Sequence, residues 1–167
     1  MLKMEKHNIL GSINDTANQM ESYMAPLDED KLNTVPYQNS WTAAQLLRHL
    51  VKSTELMTDG LQTPGKPADR DPGARIPELR QVFEDRTNRL QSPDVIVPET
   101  RHYQKDESIA EWHDAFQSFN IAADAADPAI LVEDLPLGPV TKWEIINFVQ
   151  IHLQRHLIQM QKIIAAL

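Results

Sequence analysis

The chain reads as an all-α protein, a four-helix bundle with a long connection and one additional short helix. Two observations carry this reading. Four long segments repeat apolar residues at intervals of three and four, the spacing of one helix face. Capping residues, prolines and glycines bracket these segments, and little of the remainder reads as strand. With 167 residues, one domain spanning 1–167 is expected.

The first helix is expected over residues 4–25, where Ile9, Ile13, Ala17, Met20 and Met24 form one stripe. Pro26 and the acidic run from Asp28 to Asp30 close it. The second begins at Thr42, whose hydroxyl can cap a free amide while Gln45 reaches back, the capping-box arrangement. Leu46, Leu50 and Met57 line its apolar side until Asp59-Gly60 ends it. Residues 62–77 hold four prolines and two glycines and read as a loop. The short helix follows over residues 77–91, its face narrow and its arginines many, which suits packing on the outside of the bundle. Pro93 and Pro98 bracket an extended piece at Val95-Ile96-Val97. Ser108 with Glu111 offers a second capping box, opening a helix with Ile109, Trp112, Phe116, Phe119 and Ala123 on its stripe. Pro128 ends it at the latest. After a turn at Pro136, Gly138 and Pro139, Thr141 and Glu144 form a third box, and the last helix runs to the C-terminus.

Composition narrows the function. The formal net charge is −8 and no basic run offsets it, so a nucleic-acid partner is not expected. No segment approaches the roughly 20 apolar residues of a membrane span. Met1 to Leu10 lacks the apolar stretch of a signal peptide, so a cytoplasmic location is expected. The absence of cysteine excludes disulfides, thiolate ligands and thiol nucleophiles, so any soft metal must rest on histidine and oxygen.

His152 and His156 are four residues apart, so both imidazoles leave the last helix along nearly one line. That line continues through Ile145, Val149, Gln159 and Ile163, within the apolar stripe. Two buried imidazoles need partners, and a shared divalent cation satisfies both. The competing reading is a hydrogen-bonded, metal-free core pair. Leu153 stands where a zinc protease helix needs its glutamate, which argues against that chemistry. His49, between Leu46 and Leu50, faces the same interior and is the third candidate ligand. Three imidazoles leave coordination positions open, as a catalytic site requires.

The other histidines fit less well. His113, beside Trp112, is a reserve fourth ligand or base, although a half-exposed boundary residue is the simpler reading. His7 and His102 are expected to be solvated, and Glu99-Thr-Arg-His102 is a chance match to a di-iron pattern that requires a helix. Tyr37, Asn39, Arg101 and Tyr103 could reach the mouth of a site or serve their loops. Gln45 and Gln159 could orient ligand imidazoles. Capping for Gln45 and ordinary helix polarity for Gln159 are preferred.

The segment Ser40-Trp41-Thr42-Ala43-Ala44-Gln45-Leu46-Leu47-Arg48-His49-Leu50 resembles the second-helix motif of the DinB/YfiT-like superfamily. Leu137-Gly138-Pro139-Val140-Thr141, followed by His152-Leu153-Gln154-Arg155-His156-Leu157-Ile158-Gln159, resembles that family's last helix and its lead-in. The resemblance implies a bundle of unusual connectivity, commonly a homodimer. It assigns His49, His152 and His156 as ligands of a divalent ion, nickel or zinc foremost, with manganese or iron also compatible. It further implies a metal-dependent transferase that joins a low-molecular-weight thiol, such as bacillithiol or mycothiol, to a small electrophilic molecule. The alternatives are a metal-dependent hydrolase and a non-catalytic, metal-stabilised ligand-binding bundle. Since the chain has no cysteine, a thiol nucleophile must arrive with a cosubstrate.

Overall fold

A computed structural model describes residues 2–87 and 89–167. It is 63% helix, which places the protein in the all-α class. Helix α1 (Leu2–Met24) buries its whole predicted stripe from Ile9 to Met24. The acidic run after Pro26 does more than end it: the Asp28 carboxylate accepts the Lys31 amide at 2.8 Å and caps a single turn, α2 (Glu29–Leu32), which buries Leu32.

Helix α3 (Ala43–Gln62) begins at the expected capping box. Thr42 Oγ1 accepts the Gln45 amide at 3.1 Å, and Gln45 Oε1 accepts the Thr42 amide at 3.0 Å. It does not stop at Asp59-Gly60. Gly60 lies inside the helix where the chain passes Leu135 and Ile145, and a Cβ there would fall 2.9 Å from Leu135 Cδ1. This glycine therefore permits close packing rather than ending the helix.

The connection from α3 to the next bundle helix holds strand β1 (Lys66–Pro67), helix α4 (Ile76–Glu84) and a 3-10 turn at Asp94–Ile96. Helix α4 is shorter than the expected 77–91. Asp85 Oδ1 accepts both the amide and the hydroxyl of Thr87, at 2.9 and 2.6 Å. This local turn competes with helix continuation. Val82 and Leu90, apolar residues within the expected span, remain exposed. The extended piece expected at 95–97 instead contains the 3-10 turn.

Helix α5 (Lys105–Ala125) starts three residues before Ser108, so the Ser108–Glu111 box does not form. Ser108 Oγ donates back to the Gln104 carbonyl at 2.8 Å, and Glu111 pairs with Arg48 at 3.2 Å. Strands β2 (Ile130–Val132) and β3 (Val140–Thr141) join β1 in a three-stranded antiparallel sheet of order β1-β2-β3, which sequence periodicity did not reveal. Helix α6 (Lys142–Ala165) opens with the expected Thr141–Glu144 box.

The long helices pack in the cyclic order α1–α5–α3–α6, with α4 laid against α6. The long connection therefore lies between the second and third main helices, as expected. Among the described residues no helix is long and apolar enough to cross a membrane.

Glu144 has a larger role than its cap. Its side chain is fully buried, and it accepts two bonds from Arg70 at 2.6 and 2.8 Å. It also accepts the amides of Arg75 at 2.7 Å and Thr141 at 2.9 Å. The proline-rich loop is thus tied to the start of α6. Burial pushes the Glu144 carboxyl pKa up, but Arg70 and the two amides outweigh it and hold the value below the usual carboxylate range. A depressed folded value means that the stabilisation is complete above the unfolded pKa and is lost as pH falls through the folded one. Glu144→Gln is expected to cost about 3 kcal/mol at neutral pH, since it takes from Arg70 the buried carboxylate it is bonded to. Urea unfolding below pH 5 should show a shallower acid decline in the variant than in the wild type. Equal acid limbs would remove Glu144 from this role.

Candidate metal centre

Helix α3 supplies His49 and helix α6 supplies His152 and His156, one turn apart; all three are buried. His152 Nε2 lies 3.0 Å from His156 Nε2 and 3.3 Å from His49 Nε2. The ligand atoms of all three residues fall within 4.8 Å of one another. The structure therefore brings together the three histidines that the sequence singled out.

Their other nitrogens decide the chemistry. His49 Nδ1 is 3.0 Å from the Ile96 carbonyl, which can only accept, so that nitrogen carries the ring proton. His156 Nδ1 donates to Gln159 Oε1 at 2.8 Å. His152 Nδ1 lies 3.4 Å from Ser53 Oγ, which can donate or accept. Two of the three inward Nε2 atoms are therefore bare, and only His152 could place a proton among them. A metal-free core would leave at least one lone pair unanswered at the centre. A divalent cation answers all three, with His152 then donating its Nδ1 proton to Ser53.

Spacing agrees with this donor set. An ion about 2.0–2.1 Å from each nitrogen sets them roughly 2.9–3.4 Å apart for angles between octahedral and tetrahedral. The two closest separations lie in that interval and the three ligand atoms lie within 4.8 Å of one another, so the donor set suits a divalent ion that draws the widest pair inward.

Burial also keeps the rings neutral, as ligation demands. It pushes His49 down to about 4, against a weaker opposing effect of the Ile96 carbonyl. It pushes His156 down to about 3, with His49 adding to the shift, and holds His152 well below its ordinary value. Aromatic rings wall the site: Phe148 stacks on His152 with centroids 5.1 Å apart, and Trp41 lies 4.9 Å from His49.

The Ile96 carbonyl is held in reach by charges on α3. Lys52 Nζ donates to the Val97 carbonyl at 2.8 Å and to Glu99 at 3.0 Å, and Arg48 reaches Glu99 at 3.3 Å. Glu99 is thus a loop anchor and takes no part with His102, which is exposed and meets Glu29 at 2.9 Å.

The remaining candidates divide. His113 is exposed against Glu21 at 2.8 Å and lies outside the site, and His7 is exposed. Tyr37 and Asn39 line the cleft over the histidines. Arg101 instead sits 4.3 Å over the Tyr103 ring, and Tyr103 is buried and donates to the Glu99 carbonyl. Gln45 caps α3, as preferred. Gln159, read as ordinary helix polarity, in fact holds His156; its i+3 spacing was the available signal. Ser53, four residues after His49, shares its face of α3, but its partner His152 comes from α6 and only the packing reveals it. Ile96 carried no signal, because every residue has a carbonyl.

The three rings line a cleft of about 900 Å³, with Trp41, Met57, Phe83 and Phe148 among its apolar walls. Removing the Gln159 amide is expected to weaken divalent-ion affinity roughly 10–100-fold in Gln159→Ala without altering far-UV circular dichroism. Competition titration with a chelator measures it, and unchanged affinity would exclude the positioning role. Histidines of the unfolded chain titrate near about 6.5 and take up protons that the folded rings refuse. The metal-stripped protein should therefore lose stability between pH 7.5 and pH 5, a window above that of Glu144. A urea midpoint that stays flat across it would contradict neutral buried rings.

The chain matches the DinB superfamily over residues 13–160. No curated protein and no solved structure shows a significant match. The matched stretch includes His49, His152 and His156 and most of all four bundle helices. The chain belongs to the DinB superfamily.

Proposed function

We propose that this protein is a metal-dependent transferase that joins a low-molecular-weight thiol to a small electrophile. His49, His152 and His156 are the ligands of its divalent ion, with nickel or zinc the first candidates. The observation that carries this reading is the convergence of three neutral imidazole nitrogens, at least two of them bare, on a cleft of about 900 Å³. Such a volume accommodates a ligand of substrate size.

A divalent ion at three imidazoles lowers the pKa of a thiol or water beside it. The chain's own groups favour the thiol. A thiol ionises near about 8.5 and water near 15.7, so a thiol needs far less help to lose its proton. Hydrolysis also calls for a positioned base, and Asp94 is the sole carboxylate lining the cleft among the described residues. Asp94 is exposed on the 3-10 turn, and Leu153 occupies the place of a protease glutamate. The residues of this chain would hold the ligands' orientation through Ile96, Ser53 and Gln159. Trp41, Phe83 and Phe148 would exclude water from the attacking sulfur.

The test pairs several low-molecular-weight thiols with a generic electrophile such as a halogenated arene. Transfer should require added nickel, zinc or manganese and fall at least about 100-fold in His49→Ala, which removes a ligand. Turnover unchanged by metal removal would overturn the mechanism. Consumption of the electrophile without any thiol would favour a hydrolase. Stoichiometric metal binding with neither activity would leave a metal-stabilised binding bundle.

A further inference from the structure

The charges around the cleft run against the rest of the molecule. The chain carries 24 acidic and 16 basic residues, so a cation has more potential partners than it can use. Elsewhere Arg48, Arg70, Arg75 and Arg80 each pair with a glutamate, and Arg101 lies over the Tyr103 ring. At the cleft the balance reverses. Arg86, Arg89, Arg155 and Lys162 line it, against the one carboxylate of Asp94.

None of Arg86, Arg89 and Lys162 forms an ion pair among the described residues. Two of the guanidiniums are also held in place. Arg155 donates to the Phe83 and Asp85 carbonyls at 2.9 and 2.8 Å, and Arg89 donates to the Asn39 carbonyl at 3.0 Å. Arg155 feels the Asp85 carboxylate more strongly than the opposing charge of Arg86, so Arg86, Arg89 and Lys162 are the cations of the cleft that no carboxylate pairs among the described residues. Holding like charges together beside an apolar cavity costs free energy that an incoming anion offsets.

We infer that the molecule entering this cleft is anionic, with a carboxylate or phosphate held by Arg86, Arg89, Arg155 and Lys162 while its uncharged part lies along Trp41 and Phe148 toward the histidines. Guanidinium groups recognise both oxyanions through paired N–H donors. The inference rests on the cleft being the substrate site of the proposed function, and it adds the charge class of that substrate.

The test is calorimetric titration of the full-length protein, metal-loaded and metal-stripped. The probes are mercaptosuccinate, its dimethyl ester and 2-mercaptoethyl phosphate. At least one anionic probe should bind roughly tenfold more tightly than the ester, and which one does so separates carboxylate from phosphate. The preference should shrink as salt rises from about 50 to about 500 mM. It should vanish or invert in Arg86→Glu/Arg89→Glu, whose side chains are exposed, and fall severalfold in Lys162→Glu on α6. The second variant carries the test if circular dichroism shows the first to be misfolded.

The preference should survive metal removal, because the side chains supply it. Equal binding of ester and anions, a preference confined to the metal-loaded protein, or a preference untouched by charge reversal would overturn the inference. A protein that binds no divalent ion yet keeps the preference would sink the proposed thiol chemistry and sustain the anion site.

Discussion

The molecule is organised around three imidazoles whose inward nitrogens cannot all be satisfied by one another. Each neutral ring has one proton, and the Ile96 carbonyl and the Gln159 amide oxygen claim two of them on the outward side. What remains at the centre is a set of lone pairs with at most one proton among them. A histidine cluster bonded only within itself would alternate donor and acceptor; this one is biased toward acceptance, which is the requirement of a cation site. That bias depends on helix α3 and helix α6 lying side by side, and on the 3-10 turn being folded back over α3.

Two networks of paired charge maintain that arrangement. Glu144, buried at the first turn of α6, draws in Arg70 and the amides of Arg75 and Thr141, and so fixes the proline-rich loop. Glu99 takes Lys52 and Arg48 from α3 and holds the 94–99 segment where the Ile96 carbonyl meets His49. Its own backbone amide, then these two cations, outweigh burial and draw its carboxyl down to about 2. A partly exposed pair of this kind contributes little free energy, but it restricts where a loop can rest. The basic residues that line the cleft stand apart from both networks: Arg155 is engaged by the Phe83 and Asp85 carbonyls, while Arg86, Arg89 and Lys162 form no ion pair among the described residues.

Legibility in the sequence followed the range of the interaction concerned. The caps of α3 and α6 were readable because a capping box is closed by residues three apart, and both formed. Ser108 and Glu111 show the same spacing, yet α5 starts earlier: Ser108 bonds back to Gln104 within the helix, and Glu111 is taken by Arg48 from α3. Gly60 reads locally as a helix stop and is overruled by the approach of Leu135 and Ile145. Two- and three-residue strands leave no periodicity to detect, and the pairing of β1 with β2 across more than 60 residues is a tertiary event.

The sequence by itself determined the class of fold, the helices bearing His49, His152 and His156, and their inward-facing positions. Helical period and capping are set by neighbours in the chain, so these needed nothing more. Only the tertiary structure decided which nitrogen of each ring faces the centre, that Gln159 rather than His113 supports the site, and that Arg86, Arg89 and Lys162 line the cleft with no ion pair among the described residues. Those outcomes depend on groups brought together from α3, α6 and the 85–97 segment. A carbonyl such as that of Ile96 has no identity in a sequence until the fold gives it a neighbour.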